Sequence, residues 1–164
     1  MSTPVSVFLL DKSVLRKAIA SLIKVEFEHP LSAQELEALS LLYFAQRHDV
    51  RLFISEEAFN ILGRFSRPEI QIVLDFVKVM KATRYFKRWA RRLREYGFTR
   101  EDAKLLALGV QAILTFDLSL LNNYQLKRSH IEKRLDEMRK ALPTPFNLVK
   151  LPSVMLPKEA LTLL

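Results

Sequence analysis

Cysteine is absent from the 164 residues, which removes disulfide staples, thiolate zinc sites and cysteine nucleophiles. Glycine is nearly absent too, with only Gly63, Gly97 and Gly109. Three scattered glycines cannot form the phosphate-cradling loops of P-loop or dinucleotide-binding proteins, and they leave room only for short connections. His29, His48 and His130 are far apart and show neither metal-ligand nor triad spacing. No run approaches the roughly 20 apolar residues needed to cross a bilayer. Met1 to Leu10 lacks the basic and long apolar regions of a secretory signal. The expectation is a cytoplasmic protein with no membrane partner.

Hydrophobic residues make up 49% of the chain, enough for one sizeable core in a domain of this length. The net charge is +8, from 26 Lys and Arg against 18 Asp and Glu, which suggests a polyanion as partner. Val5 to Leu10 is a β-rich apolar run that stops at Asp11, and helical spacing follows through Val14, Leu15, Ala18, Ile19, Leu22 and Ile23. Ser32-Ala33-Gln34-Glu35 has the form of a capping box and opens a helix that closes at His48-Asp49. Val50 to Ile54 is a second strand, followed by a helix over Ala58 to Phe65. Ser66-Arg67-Pro68-Glu69 predicts a helix start, and helical spacing then extends to about Tyr96, with Gly97 as its stop. Thr99 to Leu108 reads as a short helix, Gln111 to Phe116 as a third strand and Ser129 to Leu142 as a helix. Phe146 to Leu151 is a candidate edge strand. A single domain over residues 1–151 is expected, with 152–164 as an irregular apolar tail. Alternating strands and helices predict an α/β fold, with a mostly parallel sheet of four to five strands and helices on both faces. In such sheets ligands bind outside the carboxyl ends of the strands.

Acidic residues gather where that rule points. Asp11 and Asp117 directly follow strands, Glu56-Glu57 follows another, and Asp102 lies in the first turn of the helix before the third strand. Ser55-Glu56-Glu57 and Thr99-Arg100-Glu101-Asp102 are each explained more simply as helix caps. An acid directly after a buried strand has no comparable structural duty, so Asp11 and Asp117 carry the argument for a site. Carboxylates crowded on one edge repel unless a cation neutralises them, and hard oxygen donors suit Mg2+ or Mn2+. Such ions lower the pKa of an attacking water and stabilise the leaving oxygen of a phosphodiester.

Lys78 to Arg94 holds eight positive residues and no acid. Lys81, Arg84, Arg88 and Arg91 recur at helical spacing with Arg92 nearby, a stripe suited to nucleic-acid phosphates. The interleaved Phe86 and Trp89 are expected to face the core rather than stack on bases.

Val7-Phe8-Leu9-Leu10-Asp11-Lys12-Ser13-Val14-Leu15 resembles the opening of a PIN domain, an apolar strand ending in Asp with a hydroxyl residue two places later. The Asp102-Ala103 pair in Phe98 to Leu108 is similar to the helix of that family, and Ala112 to Leu121, with Thr115-Phe116-Asp117, to its following strand. The resemblance runs from about residue 5 to residue 125. It implies a metal-dependent endoribonuclease fold, often a homodimer, found in toxins of toxin–antitoxin pairs and in RNA-processing factors. By that likeness Asp11, Asp102 and Asp117 bind Mg2+ or Mn2+, Ser13 and Thr115 orient carboxylates or water, single-stranded RNA is the substrate, and an antitoxin-like protein is a candidate partner. There are two departures. Asn60 and Ile61 stand where the family usually has a Glu, for which Glu57 or Glu56 is the nearest substitute, and Lys12 replaces a small polar residue. They support an alternative, an RNA-binding or regulatory domain with weakened catalysis.

Overall fold

The computed structural model describes residues 6–82, 86–109, 111–144 and 150–164. Three strands form where the apolar runs predict them: β1 (Ser6–Leu10), β2 (Val50–Ser55) and β4 (Ala112–Leu114). Two more, β3 (Val77–Met80) and β5 (Ser153–Met155), complete a five-stranded sheet in the order β3-β2-β1-β4-β5. Every pairing is parallel, with Phe8 opposite Leu52 on one side of β1 and Leu9 opposite Ile113 on the other.

The helices are α1 (Lys12–Glu26), α2 (Ala33–Gln46), α3 (Glu56–Leu62), α4 (Pro68–Phe76), α5 (Phe86–Arg94), α6 (Arg100–Leu108), α7 (Leu118–Ala141) and α8 (Pro157–Leu161). The two-residue alternation of the strands divides the core between the sheet faces. Phe8, Leu10, Leu52, Ile54, Ala112 and Leu114 point towards α1, α2, α4 and α8, where they meet Val14, Leu15, Leu41, Val73 and Ala160. Leu9, Ile113 and Val154 point towards α5, α6 and α7, against Trp89, Leu93, Leu106, Leu120, Tyr124 and Ile131. A sheet covered on both faces requires continuous apolar strands, and β4 is buried at each of its three positions.

Local signals set several helix ends. The Ser32–Glu35 capping box forms in full, with Ser32 Oγ accepting from the Glu35 amide and the Glu35 carboxylate accepting from that of Ser32. Pro68 is the first residue of α4, but Ser66 does not cap it; the cap position is Arg67. Gly97 follows α5 at φ 88°, a left-handed conformation that costs glycine little.

The sequence reading fails in three places. The helix expected from Pro68 to Tyr96 is interrupted by β3, whose β-branched Val77 and Val79 pair with Leu52 and Ile54 at the sheet edge. The expected tail past Pro152 is not irregular: β5 pairs with β4, and α8 buries Ala160 in the core. The described edge strand is β5 at 153–155; of the edge strand expected at 146–151, residues 146–149 lie outside the described residues. The helix expected from Ser129 begins at Leu118, capped by Asp117. Its buried Tyr124 donates to the Pro152 carbonyl at 2.6 Å, and burial pushes that phenol up to about 12. This bond ties α7 to the chain entering β5. No described helix is long and apolar enough to cross a membrane.

Candidate active site

The strand order fixes where the site can be. From β1 the chain lays down β2 and β3 towards one edge, then returns to place β4 and β5 on the other side of β1. The switch point of the sheet therefore falls between β1 and β4, and a crevice opens there beyond the carboxyl ends of both strands. Asp11 follows β1 directly, and Thr115 follows β4.

A compact set of hydrogen bonds joins the two strand ends. The Asp11 amide donates to the Leu114 carbonyl at 3.0 Å, extending the β1–β4 ladder by one step. The Asp11 side chain turns back on itself, and Oδ1 accepts from the Lys12 amide at 2.8 Å, capping α1. Oδ2 accepts from two hydroxyls, Thr115 Oγ1 at 2.7 Å and Ser13 Oγ at 3.0 Å. Each hydroxyl also accepts from backbone beyond β4, Ser13 from the Phe116 amide and Thr115 from the Asp117 amide. Thr115 is fully buried and Asp11 nearly so. With three donors turned towards it, the Asp11 carboxylate is held in one orientation.

Asp117 is exposed, and its Oδ1 accepts from the Ser119 and Leu120 amides, capping α7. Asp102 is half-buried one turn into α6, whose cap is Thr99, with the Asp102 amide donating to Thr99 Oγ1 at 3.1 Å. Burial first, and then the charges of Asp117 and Asp11, hold its carboxyl above the usual range, against the opposing pull of a hydrogen bond with Thr99. The three aspartates named from the sequence thus belong to one electrostatic neighbourhood.

The other expected members have partners of their own, although Glu56 and Glu57 line the same cleft as Asp11. Ser55 caps α3 by accepting from the Ala58 amide at 3.1 Å, and the exposed Glu57 pairs with Lys104 at 3.8 Å. Lys12 bonds Glu101 at 2.8 Å, which raises its pKa, while Asp11 is only the smallest contribution to that rise. Its ammonium is therefore directed to α6 and not onto the aspartates. Asn60 and Ile61 are exposed.

The donor set suits a hard divalent cation in its chemistry, since it consists of carboxylates and hydroxyls without thiolate or imidazole. A cation would also relieve the repulsion that adds to burial in raising Asp102. Among the described residues, however, no group of three or more His, Cys, Asp or Glu side chains gathers closely enough to hold an ion. Closing a ligand shell would take a rearrangement of the Asp102 and Asp117 side chains towards the fixed Asp11.

The basic stripe does not run along one helix. Lys81 follows β3 at the carboxyl edge, separate from the helix that carries Arg88, Arg91 and Arg92, so these residues do not share one helical face. Arg84 lies outside the described residues. On α5, Lys87, Arg88, Arg91 and Arg94 are exposed, and Arg92 pairs with Glu95 at 3.3 Å. Trp89 and Leu93 are buried, as their spacing predicts.

Sequence reasoning missed a cleft of about 320 Å3 beside Asp11, at the carboxyl ends of β1, β2 and β3. Met80 and Ala82 from the unforeseen β3 region contribute to its wall, so only the sheet order could reveal it. No family model, characterised protein or solved structure matches the chain.

Proposed function

We propose that the chain is a PIN-type endoribonuclease that hydrolyses RNA phosphodiesters with a divalent metal, Mg2+ or Mn2+. The observation that carries this reading is the Asp11 carboxylate, nearly buried at the switch point of the sheet and oriented by Ser13 and Thr115. A carboxylate fixed in that way beside two further aspartates is costly for the fold and useful for a charged ligand. Asp11, Asp102 and Asp117 would hold the cation, which when bound lowers the pKa of water and neutralises charge developing on the phosphate. Ser13 and Thr115 keep Asp11 in position. Lys87, Arg88, Arg91 and Arg94 on the open face of α5, with Lys81 at the sheet edge, would take the RNA phosphates. We place the protein in the cytoplasm on this reading, with single-stranded RNA as substrate. A homodimer and an antitoxin-like partner follow from the sequence resemblance alone.

A second reading is a PIN-like RNA-binding or regulatory domain with weakened catalysis. It is supported by the lack of a converging acidic group among the described residues and by Glu57 being paired with Lys104. The two readings separate on cleavage of labelled single-stranded RNA in Mn2+, in Mg2+ and in chelator, with Asp117→Asn alongside. The nuclease gives metal-dependent cuts that the variant loses while it still binds RNA. The binding domain gives retained affinity in chelator and no cuts.

A further inference from the structure

The cleft beside Asp11 lies within the usual size range for small-ligand sites, roughly 300–1,000 Å3. Its interior is apolar: Leu15 and Ile19 from α1, Ile61 from α3, Met80 from β3, and Leu105 and Leu108 from α6 line it, and Phe86 adds an aromatic wall. Its rim is charged and mainly paired. Lys12 with Glu101 and Lys104 with Glu57 join α6 to α1 and to α3, all four side chains being substantially exposed. Glu56 and Arg16 are also on the rim, are exposed, and have no ion pair among the described residues.

We propose that this cleft receives one unpaired nucleobase of the RNA strand whose phosphodiester lies against Asp11, an inference that rests on the ribonuclease reading and names its specificity subsite. The chemistry separates the parts of the strand. A phosphate entering the cleft would give up its hydration in an apolar interior whose lining carries four acids (Asp11, Glu56, Glu57 and Glu101) against three cations (Lys12, Arg16 and Lys104), so the anionic backbone stays outside. A base is uncharged, flat and apolar on both faces, and it suits an interior walled by Phe86 and aliphatic groups. Its edge carries hydrogen-bonding groups that need partners at the rim. A carboxylate at Glu56 accepts from the exocyclic amino group of adenine, cytosine or guanine. The one edge donor of uracil, N3–H, is flanked by two carbonyl oxygens that repel a carboxylate, so a base with an amino group is favoured. A base held in a duplex cannot enter, which restricts the substrate to unpaired RNA. Phe86 is the first residue of α5, so a strand with its base in the cleft has its backbone at the start of the basic helix.

The test uses the full chain and oligouridine strands that carry a single adenosine or a single abasic ribose at the centre. Affinity is measured in chelator, and cut positions are then mapped in Mn2+. The adenosine strand should bind about tenfold more tightly than the abasic strand, within the range for one stacked base. Ile61→Trp fills the cleft from an exposed position on α3, and it should abolish that advantage while leaving abasic affinity unchanged; Phe86→Ala should reduce it. Cuts should cluster beside the adenosine. Equal affinity for both strands, or an advantage that survives in folded Ile61→Trp, overturns the inference, and if cuts still appear the nuclease reading stands without it. A base-dependent affinity that Ile61→Trp removes, with no cuts in either metal, supports the base site and overturns catalysis.

Discussion

Thr115 Oγ1 donates to Asp11 Oδ2 at 2.7 Å, joining the ends of two adjacent parallel strands across 104 positions of sequence. The same hydroxyl accepts from the Asp117 amide at 2.9 Å, so one buried oxygen fixes both the orientation of Asp11 and the turn that presents Asp117.

Replacing that oxygen by a methyl group tests its weight. Thr115→Val keeps the shape, removes one of the two hydroxyl donors to Asp11 Oδ2 and leaves the Asp117 amide without its acceptor. The expected loss is about 1–3 kcal/mol of stability in urea unfolding. Thr115→Ser, which can restore both bonds, should recover most of it. Equal losses for the two variants would assign the effect to packing instead.

The Asp102 carboxyl should titrate above its ordinary value of 3.8 in carbon-detected NMR. Because its folded pKa is raised, the folded state retains this proton to higher pH than the unfolded chain does. The group therefore favours folding in acid, and that contribution is lost as pH rises through the folded pKa. Asp102→Asn should be more stable than wild type at neutral pH, by a margin that shrinks below about pH 4. Asp117→Asn should move the Asp102 titration downward, as should saturating Mg2+ if the ion binds here. An Asp102 titration indifferent to both would separate it from the site.

Glu35 is nearly fully buried in α2, and Lys24 at 2.7 Å, with the Ser32 side chain and amide, depresses its carboxyl to about 2. A depressed pKa gives stability that is complete above the unfolded value of 4.5 and is lost as pH falls towards 2. Melting curves should show Glu35→Gln less stable than wild type at pH 7, with the difference vanishing near pH 2. A difference independent of pH would mean that the charge is unimportant.

On α5, charge reversal should weaken RNA binding without unfolding the helix. Arg88 and Arg91 are exposed, while Trp89 and Leu93 on the other face anchor α5 to the core. Binding of single-stranded RNA in chelator, measured across salt concentrations, should lose about 0.7 of log–log slope for each phosphate contact removed by Arg88→Glu or Arg91→Glu. An unchanged slope would direct the search to Lys127, Arg128 and the other cations of α7.

The sequence by itself determined the α/β class, the three central strands and the edge on which Asp11, Asp102 and Asp117 lie. Those features come from interactions within a few residues: apolar runs long enough to be strands, acids placed directly after them, and caps such as Ser32–Glu35. The tertiary structure alone decided the rest. Val77 to Met80 has apolar spacing that a helix also accepts, and it becomes β3 because the edge of β2 offers backbone partners to Val77 and Val79. Ser153 to Met155 is too short to declare itself, and it becomes β5 because β4 is open on that side. Which oxygen the hydroxyls of Ser13 and Thr115 meet, where Lys12 directs its charge, and that a cleft opens beside Asp11 all depend on groups far apart in the chain. Their distances are set by strand order, and strand order follows from burying both faces of the sheet at once rather than from any local preference.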